Sequence, residues 1–251
     1  MDLGLKGKVA LVTGASRGIG AATAKALAAH GVKIVVNYLC SAEKADGVQQ
    51  AIVARGGTAL LACADVRDRT AVDAMVAAAR KEFGGIDILV NNANISFPVK
   101  PFTELSWEDF NAKLTGEMQA LVNCSQAVLP GMIRNRSGKL IFISSGLSRQ
   151  PGHGFATHAA AKGAMDSLAK VLALELGPQG ITVNVIGPGL TLTDATAGAP
   201  KEFYDQRAAE MPLKRLGLPD DVAGVAVFLA SQLSNYVTGQ YFAVSGGGFM
   251  I

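Results

Sequence analysis

The sequence predicts a single α/β domain: a doubly wound parallel sheet of about seven strands with helices on both faces. Three observations lead there. Short runs that are apolar throughout alternate with longer helix-like patterns along all 251 residues, as strands buried on both faces require. No linker, repeat or change of composition divides the chain, and its length suits one α/β domain. Glycine is abundant, 29 residues, with no collagen period, which points to tight turns and close approach of backbone to a ligand.

The elements run in order along the chain. Residues 9–13 (V-A-L-V-T) read as a buried strand and 19–30 as an alanine-rich helix. Residues 33–36 form a second strand, with helix through about Arg55, and 59–62 a third strand. Residues 70–83 read as helix and 86–90 (I-D-I-L-V) as strand. Residues 107–134 make a long helix with Leu114, Met118, Leu121, Val122, Val128 and Leu129 as its apolar positions. A strand at 140–143 leads to a helix at 158–176, whose Met165, Leu168, Leu172 and Leu176 share one face. A strand at 181–186, a helix at 220–231 and a short strand at Tyr241–Val244 complete the pattern. Between them 190–212, with Gly198 and Pro200, reads as a mobile lid, most clearly over 191–204.

Composition narrows the function. Hydrophobic residues make up 49% of the chain, so it is not disordered. The net charge is +3 with no basic run and 6% aromatic residues, which predicts no nucleic-acid partner. Cys40, Cys63 and Cys124 are too far apart for a metal cluster or a disulfide framework and read as reduced thiols. The N-terminus lacks the apolar core of a signal peptide, and no apolar run reaches the ~18 residues that span a bilayer. A cytoplasmic protein with no membrane contact and no metal is expected.

The chemistry begins at Thr13-Gly14-Ala15-Ser16-Arg17-Gly18-Ile19-Gly20. A glycine-rich turn between a strand and a helix brings backbone close to a pyrophosphate and directs helix N–H groups at it. The spacing G-x-x-x-G-x-G resembles the short-chain dehydrogenase/reductase family, a Rossmann-type fold. The likeness runs along the whole chain. Asp65-Val66 is similar to the family's adenine contact, and Asn91-Asn92-Ala93 to its N-N-A-G motif, with Asn94 in place of the glycine. Pro188-Gly189 with Thr191 and Thr193 is similar to the segment that holds the nicotinamide, and Thr238-Gly239-Gln240 and Gly246-Gly247 match the C-terminal pattern. Length and motif order resemble bacterial 3-oxoacyl-[acyl-carrier-protein] reductases.

The second strand ends in Asn37-Tyr38-Leu39-Cys40-Ser41, without the acidic residue that binds a ribose 2′-hydroxyl. Arg17 can pair with a 2′-phosphate, and Ser41 and Lys44 can add contacts. NADP(H) is therefore expected over NAD(H). The resemblance implies that the cofactor meets Gly14, Ser16, Arg17, Gly18, Ile19, Gly20, Asn37, Tyr38, Ser41, Asp65, Val66, Asn92, Ala93, Lys162, Pro188, Gly189, Thr191 and Thr193.

The resemblance also implies a proton relay of Tyr and Lys in Y-x-x-x-K, a Ser that polarises the carbonyl, and an Asn that holds a water on the Lys. Lys162 matches the Lys and Ser145 the Ser, with Ser144 its neighbour. The Tyr position is His158, in H-A-A-A-K. The enoyl-reductase spacing lacks its Tyr too, since that position is Phe155. Counting back from Ala127-Val128-Leu129-Pro130 puts Glu117 at the Asn position; a local likeness at Leu114-Thr115-Gly116 would put Lys113 there instead.

Imidazole is a competent acid or base, with an ordinary pKa near 6.5. Lys162 would lower that value and Glu117 would raise it. The candidate catalytic set is Ser145, His158, Lys162 and Glu117. The objection is reach, because a histidine falls roughly 2 Å short of a tyrosine hydroxyl and small misplacements are costly. His153 and Tyr204 are weaker candidates for substrate contact, and Trp107 with Phe110 reads as helix packing.

Three functions compete. The first is an NADPH-dependent reductase of ketones or 3-oxoacyl thioesters. The second is an NADP-binding protein without redox turnover. The third is a non-redox isomerase or cyclase that uses His158 and Glu117 as bases. A homo-oligomer, tetramer or dimer, is implied by the resemblance, and the small residues Ala159, Ala160, Ala161, Gly163 and Ala164 permit close helix packing.

Overall fold

The β-branched and aliphatic runs pair as the pattern requires. A computed structural model describes residues 2–250. Its strands are β1 (Val9–Val12), β2 (Lys33–Tyr38), β3 (Ala59–Cys63), β4 (Ile88–Asn91), β5 (Gly138–Ile143), β6 (Ile181–Pro188) and β7 (Tyr241–Val244). They form one seven-stranded sheet in the order β3-β2-β1-β4-β5-β6-β7, and every pairing is parallel. The helices are α1 (Gly18–Ala29), α2 (Ala42–Val53), α3 (Arg69–Phe83), α4 (Trp107–Asn135), α5 (Ala156–Leu176), α6 (Lys201–Glu210) and α7 (Pro219–Ala230).

Alternation along each strand makes two cores. Leu11, Val35, Leu89, Leu140 and Phe142 face α3, α4 and α5, where they meet Met75, Leu121, Cys124 and Met165. Ala10, Val12, Ile34, Val36, Ile88 and Ile141 face α1, α2 and α7, against Leu27, Ile52, Val222 and Leu229. Each fully buried aliphatic side chain contributes about 1.5–3 kcal/mol. Sheet order reverses direction between β2-β1 and β4, so the crevice that binds ligands in such sheets opens beyond the C-terminal ends of β1 and β4.

Helix ends obey local chemistry. Asp68 caps α3 by accepting the Thr70 N–H at 2.8 Å, and Gly84 ends it in the left-handed region at φ 92°. Ser106 caps α4 through the Asp109 N–H at 3.1 Å. The expected elements shift by a residue or two at their ends, which is where helices and strands fray. One element differs in kind: the segment 190–212, read from the sequence as a lid, contains α6. Its residues are good helix formers, but none is buried, so no apolar stripe marked it. No helix among the described residues is long and apolar enough to cross a membrane.

Candidate active site

The glycine turn is built by residues far apart in sequence. Gly14 and Gly18 have φ of 60° and 54°, where a side chain is strained. A Cβ on Gly20 would lie 2.5 Å from Asn92 Nδ2 and from the Gly14 carbonyl oxygen. Asn92 Nδ2 donates to the Thr13 carbonyl at 2.8 Å and to that of Gly14 at 3.1 Å. Thr13 Oγ1 accepts the N–H groups of Asn92 and Ala93 at 2.9 and 3.0 Å. Asn37 is buried, accepts the Gly14 N–H at 3.1 Å and donates to Ala62 and Ala64. The side chains of Asn37 and Asn92 thus brace the turn. α1 starts with no side-chain cap and no acid in its first turn, so its N–H groups are open to an anion. These residues fit a dinucleotide pyrophosphate. Ser16 and Ile19 are half-buried beside it.

At the β2 end of the crevice, Arg17 Nη2 donates to Ser41 Oγ at 2.7 Å. Lys44 pairs with Asp194. Asp65 is held by Arg67, Nη2 to Oδ2 2.7 Å, which keeps its carboxyl below the usual range. Val66 is buried, and Tyr38 packs half-buried on the α1/α2 core.

At the other end, beyond β6, Thr191 Oγ1 donates to the Gly189 carbonyl at 3.1 Å. A Cβ on Gly189 would lie 3.0 Å from Ser245 Cα. Thr193 lies against Gly18. Tyr204 donates its hydroxyl to the Thr196 carbonyl at 2.6 Å, within the lid segment. His153 is exposed on the loop before α5. Trp107 and Phe110 stack on each other at 5.9 Å, and Trp107 is exposed.

α4 and α5 bring Glu117, His158 and Lys162 together, and Ser145 follows Ser144, whose Oγ donates to the Lys162 carbonyl. Ser145 comes just after β5, and its Oγ accepts the Leu147 N–H at 3.2 Å. Its carbonyl accepts the Tyr241 hydroxyl at 2.9 Å. Asp166, one turn beyond Lys162, accepts Ser148 Oγ at 2.7 Å and so braces the same turn. Lys162 Nζ donates to Glu117 Oε2 and to the Ile143 carbonyl, both at 3.0 Å. Of the two candidates on α4, Glu117 is therefore the one that touches Lys162.

Lys113 belongs to the same network. It is fully buried, and its ammonium donates to Glu117 Oε1, to Asn94 Oδ1 at 2.8 Å and to the Ile95 carbonyl at 2.6 Å. The Ile95 N–H closes the ring on Glu117 Oε1 at 3.1 Å. Burial alone would raise the Glu117 carboxyl, but the Lys162 and Lys113 ammoniums hold it at about 2. Burial brings Lys113 down to about 8.

His158 lies in the first turn of α5, 8% exposed. Its ring stacks on Phe97 at 4.6 Å and 19°, and Lys113 Nζ lies 4.7 Å from the same Phe97 ring. Its Nδ1 is buried without a hydrogen-bond partner among the described residues. Burial, then the Lys162 and Lys113 charges, lower its pKa to about 3, against a smaller upward pull from Glu117. Lys162 and Glu117 are hydrogen-bonded to each other, whereas His158 stands beside them without a bond to either.

A family model described as enoyl-(acyl carrier protein) reductase matches residues 14–248. The chain is 39% identical over 245 residues to the 3-oxoacyl-[acyl-carrier-protein] reductase FabG of Staphylococcus aureus, across 97% of this chain and 98% of that one. It belongs to the short-chain dehydrogenase/reductase family. The corresponding reductase of Synechocystis is 40% identical over 247 residues, 98% of both chains. Among solved structures, a 7α-hydroxysteroid dehydrogenase complexed with NADH and 7-oxo glycochenodeoxycholic acid superposes with a TM-score of 0.93 at 34% identity, covering 100% of this chain and 97% of that one. A double mutant of a Serratia marcescens short-chain dehydrogenase/reductase gives 0.89 at 36%, covering 97% and 98%. The protein is an oxidoreductase of this family.

Asn94, Glu117 and His158, read from the sequence as departures from the family's motifs, are joined in the fold through Lys113 and Phe97. Phe97 was assigned no role from the sequence, and Lys113 only as the alternative to Glu117 at the Asn position. For Lys113 a signal existed: with Glu117, Leu121, Cys124 and Val128 it lies on the buried stripe of α4, where charges occur in pairs. Phe97, Asp166 and Asp194 gave none, because their partners are distant in sequence.

Proposed function

We propose that this oxidoreductase is an NADPH-dependent carbonyl reductase acting on ketones or 3-oxoacyl thioesters, with an atypical Ser145-His158-Lys162-Glu117 site. The observation that carries this reading is that a braced glycine turn after β1 and a buried Glu117–Lys162 pair, with Ser145 just past the end of β5, stand at C-terminal strand ends of one sheet in a chain 39% identical to an acyl-carrier-protein reductase. The absence of an acid after β2, with Arg17, Ser41 and Lys44 near its end, supports NADP(H) over NAD(H). Cofactor contacts would come from Gly14, Ser16, Arg17, Gly18, Ile19, Gly20, Asn92 and Ala93 around the pyrophosphate. Tyr38, Ser41, Asp65 and Val66 would serve the adenosine, and Pro188, Gly189, Thr191, Thr193 and Lys162 the nicotinamide riboside; Asn37 contributes through the turn.

When bound, the nicotinamide supplies the hydride. Ser145 Oγ donates a hydrogen bond to the carbonyl oxygen. His158 is uncharged at neutral pH, so it donates an N–H rather than a cationic proton, as a neutral imidazole does in other enzymes. Glu117 keeps Lys162 in place, and Lys113 balances the charge that Glu117 adds. The alkoxide that hydride addition leaves is held by the His158 N–H and takes its proton from solvent, and in the reverse direction the alcohol proton returns to solvent by the same route. Residues 190–212 close over the substrate, and the protein acts in the cytoplasm as a dimer or tetramer.

The test is binding of NADPH and NADH by fluorescence, then consumption of the bound nucleotide with ketones, quinones and 3-oxoacyl thioesters. Consumption of NADPH with a rate that is flat between about pH 5.5 and 7.5 is expected. Binding without consumption across all three classes would refute the reductase reading, and an inflection near 6.5 would refute the uncharged imidazole.

A further inference from the structure

The crevice holds a carboxylate where the proposed cofactor would bring a phosphate. Asp194, at the root of the lid segment, forms an ion pair with Lys44 in the first turn of α2; the two side chains are 49% and 52% exposed. Arg17 adds a second positive field at that carboxylate, and both cations draw Asp194 below the usual carboxylate range, Lys44 the more strongly. Arg17 also holds Ser41 Oγ, which leaves that hydroxyl turned to the cluster instead of capping α2. Two cations thus act on one acidic side chain at the β2 end of the crevice, and the second of them, Arg17, holds the Ser41 hydroxyl.

Asp194 is tied into the lid segment. Thr193, its neighbour, packs on Gly18 of the glycine turn. The Thr193 N–H donates to Thr196 Oγ1 at 2.9 Å, and Thr196 Oγ1 donates to the Thr191 carbonyl at 2.7 Å. Tyr204 Oη, on α6, donates to the Thr196 carbonyl and accepts the Ala199 N–H at 3.1 Å. Residues 191–204 are therefore one cross-linked piece, and Asp194 is the point at which it is fastened to α2.

We propose that Asp194 is a specificity-determining residue: its carboxylate occupies the place of the cofactor's 2′-phosphate between Arg17 and Lys44, and a 2′-phosphorylated nucleotide frees the lid root by displacing it. This rests on the NADP(H) reading above. A phosphate monoester carries about −1.5 to −2 and three acceptor oxygens, so it outcompetes a carboxylate of −1 for the same two cations. A 2′-hydroxyl carries no charge and leaves the Lys44–Asp194 pair closed. The cofactor that fits best is then the one that also releases the lid.

The experiment is a fluorescence titration of the full chain with NADPH and with NADH, for wild type, Asp194→Asn and Lys44→Met. Asp194→Asn is expected to raise the NADPH-over-NADH preference about 5-fold, with NADH affinity within about 2-fold of wild type. Lys44→Met is expected to lower that preference by a similar factor. An unchanged preference in Asp194→Asn overturns the proposal. If wild type binds NADH more tightly than NADPH, the NADP(H) reading falls, but the direction in which Asp194→Asn shifts the ratio still decides the role of Asp194. Trypsin cleavage after Lys201, exposed on α6, tests the lid: NADP+ should speed it relative to NAD+, and equal rates would overturn the coupling.

Discussion

Lys113→Met removes one ammonium from a site that water does not reach. Lys113 is 0% exposed, and its three donors all have acceptors: Glu117, Asn94 and Ile95. Asn94 Oδ1 lies on an exposed residue and regains water when the lysine is lost. Glu117 does not, since it is 1% exposed and keeps only Lys162 and the Ile95 N–H. Breaking a buried ion pair from one side costs about 3–5 kcal/mol. For a domain of this size each kcal/mol lowers the melting temperature by about 2–4 °C, so a fall of roughly 6–20 °C is expected. Adding Glu117→Gln to Lys113→Met also takes the carboxylate from Lys162, whose side chain is 3% exposed, so the double variant should be no more stable than the single one. Urea unfolding followed by circular dichroism measures both variants. A Lys113→Met protein within about 1 kcal/mol of wild type, or a double variant as stable as wild type, would refute the argument that Lys113 balances Glu117.

Other substitutions separate chemistry from architecture. His158→Phe should cut NADPH-linked reduction at least about 100-fold while cofactor affinity stays within about 3-fold; full activity would remove His158 from the reaction. The same variant should resist acid better. The folded pKa of His158, about 3, lies below its ordinary 6.5, so the unfolded chain binds the extra proton between those values. Wild-type stability therefore falls as pH drops from about 6.5 toward 3, and that part of the fall should vanish in denaturation curves of His158→Phe. Lys162→Ala should weaken nucleotide binding and turnover together, in contrast to His158→Phe, and a variant with both unchanged would displace the assigned site. Gly20→Ala places a Cβ 2.5 Å from Asn92 Nδ2 and the Gly14 carbonyl oxygen, so NADPH affinity measured by fluorescence should fall at least about 10-fold; wild-type affinity would show that the turn yields.

The sheet and the crevice were legible because their signals are local. Apolar runs at β1, β4 and β5 mark buried strands, and G-x-x-x-G-x-G needs only seven neighbouring residues. His158, Lys162 and Ser145 were proposed from the resemblance to the family's motifs, whose spacing is local as well. The environment of His158 was only half legible. Its neighbour Lys162 was evident at i+4, but burial outweighs every charge near it, and burial depends on Phe97, which arrives from the loop after β4. α6 escaped because a helix with no buried face leaves no periodic stripe. Asn37 and Asn92 were read as cofactor contacts, and what the sequence did not show is that their amides also answer backbone groups, Asn92 those of the turn and Asn37 those of the turn and of the β3 end.

The Asn92 bridge to Thr13 and Gly14 also constrains the order of assembly. The two ends of that bridge are 79 and 78 residues apart, so the glycine turn cannot take its final shape until β4 has docked beside β1. Closing so long a loop precedes any reward from the contact. An N-terminal piece that ends before β4 would contain every glycine of the motif and still lack a formed phosphate cradle. Nucleotide affinity in this chain is thus a property acquired late, and it reports on the pairing of the sheet's two halves as much as on the loop that touches the ligand.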